Sequence, residues 1–282
     1  MSYGTSVRDT AFLATQSTLN QDWIARVLAA GGAFPSQTTL IANDVFFGAI
    51  LSAGIYPKIT ICNLFPPDSL IAAITPLIRK GGSPSWTNHN FVAGDLTPNG
   101  MTGDGATKYL DTGFFPGSVT SSSSAHLAIG VPGDDFSTTQ VEISIGDSAT
   151  NDFRIFCHWT DQNAYSDVYG SNQLGFANGG VAIQQFVMAS RTATNLAHYY
   201  QGRTATGWLD KTNIVTNEVN NASTTRSLIL FANNTGGSIT FFTKKRLSFA
   251  SCGTGMTSAE GQALYNAFQA FRVNAAGGNG GV

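Results

Sequence analysis

Charge is what this chain has least of. Only 11% of its 282 residues are Asp, Glu, Lys or Arg, with 15 basic against 17 acidic side chains and a formal net charge of -2. A sequence pI near 6.0 leaves no basic field to collect phosphates, so nucleic-acid binding through counterion release is excluded as a main role. Cysteine is also scarce. Cys62, Cys157 and Cys252 are an odd set, too widely spaced for a zinc site or a closed disulfide framework, and they read as reduced core residues. No charged segment followed by an apolar run opens the sequence, so the Sec route is not indicated and synthesis in a cytoplasm is expected. The most apolar stretch, residues 45–55, is interrupted by Gly48 and Gly54 and falls well short of a membrane span, so no membrane insertion is expected. Two Asn-X-Ser/Thr sites, at Asn221 and Asn233, carry no weight in a chain this rich in Asn and Thr.

What remains is apolar and neutral: 42% hydrophobic and 11% aromatic residues, with a polar surface supplied by Ser, Thr, Asn and Gly. That composition can bury a real core in one large β domain with a smaller unit, without staples. The first 90 residues read as helical. Asn20 can cap a helix carrying Trp23, Ile24, Val27 and Leu28 on one face, ended by Gly31 and Gly32. Ser36 can cap a second, with Leu40, Ile41, Val45, Phe46, Ala49 and Ile50 in the same period until Gly54 and Pro57. A β-like run at 59–62 precedes a third helix over 69–79, interrupted by Pro76, and 81–84 reads as a linker. The division expected is therefore a helical anchoring region over 1–90 and a β-sandwich over 91–282.

Beyond residue 91 the period changes from helical to alternating. Strands are expected over 125–131, 140–145, 181–188, 195–200, 204–209, 227–231 and 238–249. In the run from Phe153 to Trp159 bulky residues occupy both faces, which marks a central strand. Regular strand spacing without intervening helices argues for antiparallel sheets packed as a jelly-roll sandwich, mainly β. A closing helix over 257–273 is announced by Thr257 and Glu260 at capping-box spacing and by a stripe of Leu264, Phe268 and Phe271, and a glycine-rich tail follows.

Two segments carry a resemblance. Residues 103–114 read GDGATKYLDTGF and residues 257–269 read TSAEGQALYNAFQ. Both are similar to the opening and closing segments of tailed-phage virion proteins with a concanavalin A-like or laminin-G-like jelly-roll domain, and the stretch from Trp23 to Phe65 resembles the leader of some of them. The resemblance implies a non-enzymatic structural protein of the virion, displayed on the particle as a decoration, spike or tail-associated component. It further implies other virion proteins as partners, a homo-oligomer, and a host-surface polysaccharide as ligand.

The candidate chemistry is thin. Glu142 is the one acid in an alternating strand position, and no second carboxylate accompanies it at the spacing glycoside hydrolysis needs. His89, His126, His158 and His198 are available for a Ser-His-Asp arrangement, but no G-x-S-x-G elbow selects among them. Asp134, Asp135 and Asp147 suit hairpin turns better than a calcium loop. No catalytic residue, metal or cofactor is therefore expected. Sugar binding would use exposed aromatic faces, for which Trp86, Tyr165, Tyr169, Tyr200 and Trp208 are the candidates, with Tyr199 beside them. A carbohydrate-binding adhesin module is the alternative function, and a polysaccharide-cleaving enzyme the third.

Overall fold

A computed structural model describes residues 15–80, 85–132, 140–146, 152–157, 163–170, 174–177, 185–203, 207–214 and 225–275. The expected linker at 81–84, the turn acids Asp134, Asp135 and Asp147, His158 and the tail beyond residue 275 lie outside them.

Serine starts three of the helices. The Ser17 hydroxyl accepts the Asn20 N–H ahead of α1 (Thr18–Ala29), Ser36 accepts that of Thr39 ahead of α2 (Gln37–Ser52), and Ser69 accepts that of Ala72 ahead of α3 (Leu70–Ile74). Ser17, not Asn20, is thus the first cap. Asn20 shares the face of Trp23, Ile24 and Val27, so packing takes it inside, where its amide donates to the Leu40 carbonyl and accepts from Asn43. The third helix is shorter than expected because Thr75, which precedes Pro76, is extended; Ile78–Arg79 is instead a strand. The last helix, α4 (Ser258–Ala275), opens on the expected capping box: Glu260 accepts the Thr257 N–H at 2.8 Å and Thr257 accepts that of Glu260 at 3.4 Å.

Among the described residues the strands form two large sheets, mainly antiparallel. A seven-stranded sheet runs in the order Gly207–Ile214, Leu196–Arg203, Gln185–Ala193, Ala125–Val131, Phe249–Gly253, Ile59–Asn63, Ile78–Arg79. A nine-stranded sheet runs Leu174–Ala177, Asn163–Gly170, Asp152–Phe156, Ile143–Gly146, Ile229–Leu230, Tyr109–Asp111, Thr87–His89, with the hairpin of Asn233–Thr235 and Ser238–Thr240 attached to Ile143–Gly146. The two face each other. Leu127, Ile129, Val187 and Tyr199 of the first interleave with Leu110, Ile143, Phe153, Ile155 and Leu230 of the second. The other side of the seven-stranded sheet carries the helices, with Phe186, Met188 and Phe249 packed among Trp23, Phe46, Ile50, Leu264 and Phe268. The fold is thus the expected mainly β antiparallel sandwich, with helices at its N-terminal end and a C-terminal helix. Pairing crosses residue 90: Ile59–Asn63 joins Phe249–Gly253, and Thr87–His89 joins Tyr109–Asp111.

The expected strand at 125–131 stands as read, whereas that at 238–249 is broken because Phe241 has a left-handed φ of 48° that turns the chain out of the sheet. Asp152–Phe156 is central, as its two-faced bulk requires. The three cysteines are free and buried, and burial pushes their thiols up.

One buried ion pair joins these parts. Glu142 and Lys245 have fully buried side chains and meet at 2.9 Å. The same carboxylate accepts the Cys157 N–H at 2.6 Å and the Thr243 hydroxyl at 3.1 Å. Desolvating two charges is costly unless the remaining lone pairs are also bonded, and here they are. Lys245→Met, which keeps the stem and strands the carboxylate, is expected to lower the urea-unfolding free energy by about 3–5 kcal/mol. A Glu142→Gln, Lys245→Met double variant should lose less than that single one; an equal or larger loss would mean that stranded charge is not the cause.

Candidate functional site

Side-chain alternation decides what the outer face of the nine-stranded sheet presents. Leu110, Phe153, Ile155 and Val168 point to the core, so their strand neighbours point away. Register then lines them up across strands: His89 opposite Tyr109, Thr87 opposite Asp111, Ser144 opposite Arg154, Arg154 opposite Asp167, and Phe156 opposite Tyr165. The middle of this face is covered, since Ser144 donates to the Ala232 carbonyl and accepts the Asn234 N–H of the attached hairpin. Two ends stay open.

At one end the rings of His89 and Tyr109 stack at 3.9 Å with 6° between their planes, and Phe242 lies 6.2 Å beyond. Phe241, the residue before Phe242, is 53% exposed at a left-handed φ of 48°, which for a bulky residue costs on the order of 1–3 kcal/mol. Asp111 and Thr87 supply a carboxylate and a hydroxyl on the same face. Burial, and then the charge of Asp111, push the Tyr109 phenol up, so it stays a hydrogen-bond donor. At the other end Arg154 and Asp167 pair at 2.7 Å, the guanidinium lies 4.8 Å over the Phe156 ring, and Asn163 donates to the hydroxyl of half-buried Tyr165 at 3.4 Å. The half-exposed His89–Tyr109 stack, beside the Thr87 hydroxyl and the Asp111 carboxylate, can hold the C–H face of a pyranose and bond its hydroxyls.

The candidates named from sequence are scattered. Trp86, Tyr169 and Tyr200 are 2%, 1% and 0% exposed, so their rings belong to the core and offer no sugar a face. Trp86 packs on Phe65, and Tyr169 stacks on Phe153 with its hydroxyl bonded to Thr120. Tyr199 is equally buried. Tyr200 and Trp208 do meet, stacked at 5.2 Å, but on the helix side of the seven-stranded sheet, where the Trp208 indole donates to Ser258 of α4. Only Tyr165 lies on the outer face. His89 and Tyr109 were missed as a pair, although Tyr109 stands inside the opening GDG motif, because nothing local announces a register between residues 20 apart in sequence.

Two constellations that resemble catalytic ones are structural. Glu142 is neutralised by Lys245, away from any surface. His126 lies 3.0 Å from the Ser251 hydroxyl, yet both are buried, and its other nitrogen donates to the Thr254 carbonyl at 2.7 Å, so the pair meets no solvent. Among the described residues no three His, Cys, Asp or Glu side chains converge as metal ligands, and no helix is long and apolar enough to cross a membrane.

No family model and no curated protein matches the sequence. Solved structures that this chain is similar to include a Ruminococcus gnavus IT-sialidase CBM40 bound to α2,3-sialyllactose, at 9% identity and a TM-score of 0.39 over 50% of this chain and 82% of that one. A Trypanosoma rangeli sialidase aligns at 11% identity and a TM-score of 0.47 over 74% of this chain and 32% of its own. The leech intramolecular trans-sialidase aligns at 12% and 0.34 over 54% and 23%.

Burial lowers the His126 pKa to about 4, so its imidazole is neutral in the fold. Because the unfolded chain takes up that proton first, near pH 6.5, this histidine removes stability as pH falls from about 6.5 to about 4 and no more below. An NMR titration should show the His126 ring unprotonated at pH 5; a midpoint near 6.5 would contradict the burial argument.

Proposed function

We propose that this chain is a non-enzymatic structural protein of a tailed-phage particle, displayed on its surface, whose sandwich binds a host-surface polysaccharide through the outer face of the nine-stranded sheet. The observation that carries this is the division of the two sheets: the long helices pack on one, and stacked aromatic and polar groups stand on the other.

The motifs behind the phage resemblance act as joints of the fold, which supports it. Burial pushes the Asp104 carboxyl up, but together the N–H groups of Ala106, Thr107 and Lys108 and the Thr107 hydroxyl, all donating to it, outweigh that and hold it well below the usual range. Gly105 needs its φ of +73°, and a Cβ on Gly103 would sit 2.0 Å from the Thr243 carbonyl oxygen. At the end of the motif Asp111 accepts the Gly113 N–H, and Thr112 donates to the Leu228 carbonyl.

The non-enzymatic part rests on what the described carboxylates do. Asp22 pairs with Arg26, Asp95 with Lys108, Glu142 with Lys245, Asp167 with Arg154 and Glu260 with Lys58; Asp44, Asp68, Asp104 and Asp111 accept backbone N–H groups, and Asp210 lies 3.8 Å from His198. Paired or capping acids are poorly placed to trade protons with a glycosidic oxygen.

The test is an array of bacterial surface polysaccharides probed with the folded protein. Binding is expected, unchanged in polymer length after incubation, and about tenfold weaker for Tyr109→Ala, the loss of one stacked ring face. A wild-type chain that binds nothing on the array, or that shortens the polymer, would overturn the reading.

A further inference from the structure

Four neighbouring side chains at the open end of the nine-stranded sheet keep polar atoms free. Register sets Thr87 opposite Asp111 and His89 opposite Tyr109, so the four form a two-by-two array on the outer face. Among the described residues nothing bonds the Thr87 hydroxyl, the His89 ring nitrogens or the Tyr109 hydroxyl. One Asp111 oxygen accepts the Gly113 N–H at 2.9 Å, which fixes the carboxylate, and the other is unengaged. An ionised carboxylate accepts hydrogen bonds and donates none. Beside the stacked rings it can take the hydroxyls of a sugar lying on them, and it repels an acid group brought to the same place.

Among the described residues no cation stands beside Asp111 to reverse that sign. Thr87–His89 and residues 238–242 carry no Lys or Arg. Lys108 is held by Asp95 at 2.6 Å, Lys244 lays its stem over Gly105 at the GDG turn, Arg246 donates to the Thr102 hydroxyl, and the Arg226 guanidinium lies against Gly237. The Tyr109 phenol registers the same sign: burial pushes it up first, and Asp111 is the one charge among the described residues that adds to the rise.

We infer that this end of the sheet selects polysaccharides of uncharged sugars and rejects those bearing carboxylates, with Asp111 as the residue that sets the choice. The inference rests on the glycan-binding reading above and names its class of sugar. An acidic sugar needs a cation to pair its carboxylate; stacked on Tyr109 it would meet Asp111 instead, like charge against like. A neutral sugar finds there an ionised acceptor for its hydroxyls, and charge-assisted hydrogen bonds are the stronger kind.

The test uses the full chain and two sets of purified bacterial surface polysaccharides, neutral ones built of hexoses alone and acidic ones containing uronic or sialic acid. The wild type is expected to bind members of the neutral set at least about tenfold more tightly than any of the acidic set. Asp111→Asn keeps an oxygen for the Gly113 N–H and should narrow that ratio at least about threefold. Asp22→Asn makes the same change in net charge on α1, in the helix layer, and should leave the ratio where it was. Raising salt from about 0.1 M to about 1 M shortens the screening length from about 10 Å to about 3 Å and should narrow the wild-type ratio too. That measurement needs no variant and decides the matter if Asp111→Asn misfolds by circular dichroism. An acidic polymer bound as tightly as any neutral one, a ratio unmoved by Asp111→Asn and by salt, or one moved equally by Asp22→Asn would overturn the inference and leave the glycan reading standing. Binding to neither set would remove that reading and this inference with it.

Discussion

The Glu142–Lys245 pair is the constraint on which the rest of this structure leans. A carboxylate with no exposure survives only if its charge and lone pairs are met, and two separate segments meet them: Thr243 and Lys245 from one, the Cys157 N–H from the other. Each of those segments is then fixed relative to the central strand. The Glu142 carbonyl accepts the Phe231 N–H, and the Gln140 side chain accepts the Lys244 N–H. The opening GDG motif docks on the same hub, with Gly103 donating to the Lys245 carbonyl and Gly105 to that of Thr243. Phe242, which lies 6.2 Å from the Tyr109 ring, immediately precedes Thr243 of this hub. The single alternating acid of the sequence serves the architecture and leaves no carboxylate for hydrolysis at that point.

From this hub follows a molecule with two unlike sides. The seven-stranded sheet is buried on both faces, by the sandwich core and by the helices, so its strands tolerate runs such as the fully buried 125–131. The outer face of the nine-stranded sheet is covered in its middle by the attached hairpin and leaves His89 and Tyr109 half-exposed at one end. On the proposed reading, contacts with other subunits fall to the helix side and ligand contacts to the sheet side, so neither need disturb the other.

How much of this could be read from residues alone depended on how local the signal was. The Ser36 cap and the Thr257–Glu260 box are local chemistry and stood out, as did the continuous apolar run at 125–131. Asn163–Gly170 did not, because its inward positions include the small Ala164 and the polar Ser166, which leave little hydrophobic alternation to see. Asn20 and Ser17 are both good caps, and only packing against α2 decides between them. The aromatic candidates show the limit most clearly. Trp86, Tyr169 and Tyr200 look no different in sequence from Tyr109, and which ring reaches solvent is settled by sheet register over long separations.

The most direct test of the account is a cryo-electron microscopy reconstruction of the particle that contains this chain. The account predicts that the helix layer meets neighbouring subunits, while His89, Tyr109 and Tyr165 face outward. A reconstruction in which the nine-stranded sheet is packed against other subunits and the helix layer is bare to solvent would contradict it.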